Sequence, residues 1–160
     1  MSRFGVDFAE DLRLLDRVLV RTSARNQFMA RVHAVIEGPV QDQVVLDLPG
    51  YRRFGALITR NSAEMLGLRP GIEVVALIKA SSMAVIGDGA LTSCDNHNRL
   101  RGTVVDRRGD GEHTELTVDL GSGLTAVSVL AQPFNEALHG KGQIVQLAFH
   151  PSSVIIGIVA

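Results

Sequence analysis

A chain of 160 residues is long enough for one ordinary domain or two very small ones, and its 46% apolar residues against 21% charged argue against general disorder. No unbroken apolar run approaches the roughly 20 residues of a membrane span, and 16 Lys and Arg against 17 Asp and Glu leave a formal charge of −1 with no general attraction to a polyanion. The absence of Trp and an aromatic content of 4% argue equally against a base-stacking platform, so neither membrane nor nucleic acid is an expected partner.

The first residues, "MSRFGVDFAEDLRLL", bring acidic side chains early and lack the basic-then-apolar order of a secretory signal, so a cytoplasmic protein is expected. Phe8, Leu12, Leu15 and Leu19 fall at helical spacing and predict an amphipathic helix from about Asp7 to Leu19. Such a helix either packs against the rest of the chain or pairs with another subunit. Residues 1–22 are too few for a helix-turn-helix domain.

Beyond it, apolar residues alternate at Phe28, Ala30, Val32, Ala34 and Ile36, then at Val44, Leu46 and Leu48, the two-residue period of half-buried strands. A third run, "FGALIT", leads into a short helix, "SAEMLGL"; Pro70-Gly71 makes a turn, and "EVVALI" and "MAVIG" complete about five strands. The order then repeats. "NQFMARV" at Asn26 is answered by "NRLRGTV" at Asn98, 72 residues on, and "RPGIEVVALIKASSM" by "KGQIVQLAFHPSSV" at a separation of 71. Five short strands and one short helix per unit predict a mainly β chain of two tandem OB-like barrels, residues 23–88 and 95–160, joined by the loop-like "GDGALTSCDNH". The single cysteine, Cys94, excludes an intrachain disulfide and makes no thiolate metal site by itself.

Two stretches in the first copy combine a cation with hydroxyls: "TSARNQF" supplies Ser23 and Arg25, and "IKASSM" supplies Lys79, Ser81 and Ser82, with Thr59 and Ser62 between them in the chain. A donor-rich, carboxylate-poor set of this kind suits a small anion with several acceptor oxygens and no proton to give, such as a tetrahedral dianion. The same residues have plainer readings: Ser62 or Asn61 as a helix N-cap, Arg25 and Lys79 as solvated surface charges.

"TSARNQF", "ITRNSAEMLGLRPGIEVVALIKASSM" and the weaker second copy resemble the Mop, or molbindin, domain of the TOBE group, and in particular the tandem Mop half of bacterial molybdate-responsive transcriptional regulators. The resemblance runs from Ser23 to Ala160. It implies an OB-like fold, binding of molybdate and usually tungstate, no catalysis and no catalytic cofactor. It assigns oxyanion binding to Ser23, Ala24 (through backbone), Arg25, Thr59, Ser62, Lys79, Ala80 and Ser81, contributed by different subunits of a dimer or trimer. In the second copy these places hold Asp95, His97, Ala131, Phe134 and His150 for Ser23, Arg25, Thr59, Ser62 and Lys79, so that copy is expected to be chiefly structural or a weaker site. His97, His150 and Cys94 as a metal set lack ligand spacing. The regulators also carry an N-terminal winged helix-turn-helix domain that this sequence does not show. Two outputs follow: molybdate storage, or the sensing part of a regulator. A structural or regulatory interaction module, binding a partner through barrels and helix, is the alternative from another class.

Overall fold

The computed structural model describes residues 22–89, 96–110 and 112–158; the expected helix over residues 7–19 lies outside them, as do Cys94 and Asp95. In the first copy β1 (Asn26–Ile36), β2 (Gln41–Leu48) and β3 (Arg52–Thr59) form a meander, α1 (Arg60–Leu66) follows, and β4 (Glu73–Ile78) returns alongside β1 before β5 (Ala84–Gly87). The second copy repeats this with β6 (Asn98–Gly109), β7 (Thr114–Gly121), β8 (Leu124–Val129), α2 (Glu136–His139), β9 (Ile144–Phe149) and β10 (Ile155–Gly157). A single 3₁₀ turn, Ala80–Ser82 or Pro151–Ser153, separates the last two strands of each copy. The mainly β, OB-like architecture expected from the periodicity is therefore present.

The alternation read from the sequence holds only to the middle of the first strand. Phe28, Ala30 and Val32 are buried, but the register slips between Val32 and Ala34, and His33 is extruded. A bulge of this kind reverses the inside and outside of everything after it. Val35 therefore packs on the core, while Ile36, expected inside, is exposed. β6 bulges at the matching place, between Val104 and Asp106, and leaves Val105 exposed. Both strands are pinned there by a turn: Val32 bonds Gly71 and Ile72, and Val104 bonds Gly142 and Gln143, through paired backbone N–H and C=O groups. Gly71 and Gly142 sit at φ 97° and 88°, in the left-handed region that a side chain disfavours.

The two sheets exchange their last strands. Their orders are β10-β4-β1-β2-β3 and β5-β9-β6-β7-β8, so the end of the second copy completes the first sheet and the end of the first copy completes the second. Ile156 pairs with Ala76 and Val85 with Leu147, in matching registers. Met83, Val85, Val154 and Ile156 are buried by the exchange, each worth on the order of 1.5–3 kcal/mol of apolar burial. The result is one continuous core: Phe54 lies edge-on to Phe28 of its own copy at 6.3 Å and to Phe149 of the other at 5.2 Å.

Two asparagines lock the halves reciprocally. Asn26 donates through Nδ2 to the Val127 carbonyl at 2.8 Å and accepts from the Val127 N–H at 2.7 Å. Asn98, 72 residues on, clamps Gly55 in the same way at 2.7 and 2.9 Å. Each side chain thus imitates a strand partner for a backbone unit of the opposite copy. Asp88, after β5, adds a polar tie: Arg101 bonds both its oxygens at 3.0 and 3.1 Å and Gln146 donates at 3.2 Å, and the guanidinium holds its carboxyl below the usual range.

Candidate functional site

The expected oxyanion residues fall into two groups. Asn26 faces Ile78 at the end of the β1–β4 ladder, so Arg25 and Lys79, the next residue on each strand, leave the sheet at the same end. Ser23, Arg25, Lys79 and Ser81 are exposed here, while Ala24 and Ala80 are buried and fix the backbone beneath them. The Ala80–Ser82 turn folds on itself, Ser82 and Met83 donating backbone bonds to the Lys79 and Ala80 carbonyls. Its far side rests on the second copy, where Ser128 Oγ donates to the Met83 carbonyl at 2.6 Å.

Thr59 and Ser62 sit elsewhere. Thr59 ends β3, paired with Gln41 at the start of β2, which lies by the other end of β1. At roughly 3.3 Å per residue that is about 30 Å of strand from Arg25. Thr59, not Asn61 or Ser62, is the N-cap of α1: it is still in the extended region, and its Oγ1 accepts from the Ser62 N–H at 3.1 Å while donating to Ser62 Oγ at 2.8 Å. The strand runs straight into the helix, which is why the cap comes earlier than composition suggests. Exposed Ile36, Val40 and Met65 belong to the segments that make this end, which Arg60 ties together through Glu37 at 3.2 Å and the Gly38 carbonyl at 3.2 Å.

The cation end packs on β8 of the second copy rather than on β3 of its own, as the Asn26–Val127 clamp requires. There it meets a group that sequence reasoning missed. Arg25 donates from both terminal nitrogens to Glu115 in β7, at 2.9 and 3.3 Å, with the arginine side chain 54% and the glutamate 28% exposed. The two residues are 90 positions apart, and no local signal links them.

In the second copy the matching positions are refitted. His97 and His150, in place of Arg25 and Lys79, meet edge to face at 5.4 Å, and His150 Nδ1 accepts from the Ser152 N–H at 3.0 Å. Phe134, in place of Ser62, carries the Arg107 guanidinium 4.1 Å above its ring. Pro133 precedes it, and α2 begins only at Glu136, capped by Asn135, whose Oδ1 accepts from the Ala137 N–H. His139 is buried beneath; its Nδ1 accepts from the Asn135 N–H at 2.9 Å, its Nε2 has no partner among the described residues, and desolvation pushes its pKa below the usual imidazole value. Among the described residues no three His, Cys, Asp or Glu gather as a metal set, and no helix is long and apolar enough to cross a membrane.

Comparison with known proteins gives one consistent answer. TOBE domain models match residues 22–85 and 66–156. The molybdenum-pterin-binding protein MopB of Rhodobacter capsulatus is 34% identical over 152 residues, 95% of this chain and 55% of that protein. The molybdenum transport protein ModE of Herbaspirillum seropedicae is 33% identical over 91% of this chain and 54% of its own. The chain thus spans about half the length of these curated relatives. Among solved structures, the cytoplasmic molybdate-binding protein ModG with molybdate bound superposes with a TM-score of 0.77 and 31% identity, covering 88% of this chain and 100% of that one.

Proposed function

We propose that this chain, which belongs to the TOBE domain family, binds molybdate at sites completed between copies of itself and performs no catalysis. The observation that carries the reading is the division of its donors. Arg25 and Lys79 stand at one end of β1 and Thr59 and Ser62 at the other, so no single sheet encloses an anion with all four. A second molecule that sets its hydroxyl end against the cation end of the first completes the set, with Ser23, Ala24, Ala80 and Ser81 lining the cation side. The exposed Ile36, Val40 and Met65 supply apolar area for such a contact. Two cations and several neutral donors match a tetrahedral dianion in charge and in number of acceptors. The likeness to molybdate-bound ModG over that protein's whole length supports the ligand.

Tungstate, of the same charge and shape, is expected to bind alongside molybdate, and the cytoplasm is the expected compartment. Dimer and trimer both satisfy the division of donors, and both storage and sensing for a regulator are outputs of the same site.

Isothermal titration with molybdate, tungstate, sulfate and phosphate, after the oligomer mass is fixed by light scattering, tests the reading. Molybdate and tungstate are expected to release heat and to raise the melting temperature, since a ligand at 100 times its Kd adds about 2.7 kcal/mol to the bound assembly. Absence of both heat and thermal stabilisation would transfer the lead to an interaction module that uses the same exposed end to hold a protein partner.

A further inference from the structure

We propose that Glu115 is a built-in competitor that lowers the affinity of the Arg25 end for its anion, an inference that rests on the oxyanion reading above. Glu115 approaches Arg25 as an external oxyanion would, with two carboxylate oxygens on two guanidinium nitrogens at 2.9 and 3.3 Å. Two of the five guanidinium donors are thereby committed. The charge matters more. Arg25 and Lys79 together present +2 to an arriving dianion, and Glu115 reduces that to +1 at the same place. Fixed negative charge beside the path of a dianion opposes it at every stage of approach.

The carboxylate belongs to the second copy, on β7, where it faces Arg108 across the β6–β7 ladder and Val129 across the β7–β8 ladder. Nothing in the fold demands a charge there: the matching position in the first copy is Gln43, in the same register on β2. The second copy, which has lost the cations of its own end, thereby acts on the site of the first. Two donors of the Arg25 fork stay occupied until an anion of sufficient charge displaces the glutamate or shares the arginine with it.

Glu115→Gln installs the residue that the fold already accepts at the equivalent place, and Glu115→Asp keeps the charge on a shorter arm. Titration of wild type and both variants with molybdate, with light scattering and melting curves to verify folding, reads the effect. At a separation of about 6 Å in a water-like dielectric, removing one negative charge beside a dianion corresponds to roughly tenfold tighter binding. The expected result is a Glu115→Gln affinity about tenfold above wild type, with Glu115→Asp within about threefold of it. An unchanged or weaker Glu115→Gln affinity overturns the role of Glu115 alone, as does an equal gain in both variants. Absence of binding by wild type and both variants overturns the oxyanion reading and this inference with it.

Discussion

The two copies share every element of their fold and almost none of their end chemistry. Both bulge one residue past a buried valine, both pin that bulge with a glycine turn, and both send one asparagine into the other sheet. At the strand ends, Arg25 and Lys79 become an edge-to-face pair of histidines, and Ser62 becomes a phenylalanine beneath an arginine. The backbone devices are kept while the core side chains change: Phe28, Phe54 and Ile78 of the first copy are answered by Leu100, Ala126 and Phe149, all buried. The end positions lie outside the shared core, and on the reading proposed above only the first copy keeps the donors of an oxyanion site there.

The strongest way to break this parallel is at Phe54, which belongs to one copy and packs on both. Phe54→Ala is expected to cost about 3–5 kcal/mol and to lower a single melting transition rather than split it, as differential scanning calorimetry would read; two separate transitions would mean the halves fold independently. Arg25→Ala and Lys79→Ala are each expected to weaken molybdate binding about 100-fold, close to 3 kcal/mol, whereas His97→Ala and His150→Ala should change it less than threefold. Titration of the four variants sharpens the functional difference between copies, and equal losses would erase it.

The asparagine clamps test the opposite expectation, that the copies are equivalent. Asn26→Ala and Asn98→Ala each remove two hydrogen bonds from a backbone unit of the other half, and each is expected to cost about 2 kcal/mol in denaturant unfolding, with similar values for the two. The smallest effect is peculiar to the second copy. The His139 pKa is lowered in the fold from the ordinary 6.5, so the unfolded chain takes up the proton first as pH falls. Its contribution is fully present above pH 6.5 and is lost as pH falls towards the folded value. His139→Leu, which removes the titrating ring, should flatten the decline of melting temperature below pH 6.5.

Much of this was legible in the letters. Period-two alternation and paired turn signals are local, and they marked the strands and the repeat. The bulge at His33 was not legible, because an inserted residue leaves the apolar composition unchanged while inverting the faces of Val35 and Ile36. Nor was the strand exchange: "MAVIG" and "SVIIG" offer either sheet the same apolar pattern, and only the geometry of the connecting turns decides between them. The candidate site was legible as a set of residue types and opaque as an arrangement. Sequence spacing does not reveal that Thr59 and Lys79 stand at opposite ends of a sheet, or that Glu115 lies on Arg25.

The exchanged strands bear on how the chain meets dilution. A single copy of this sequence would present β4 without its outer neighbour and would have to borrow a strand from another molecule, at whatever concentration the cell provides. Joining two copies through the short segment between Gly87 and Asn98 turns that loan into an internal one, at an effective concentration on the order of millimolar. The pairing of these strands therefore does not depend on meeting a second molecule and is expected to persist on dilution.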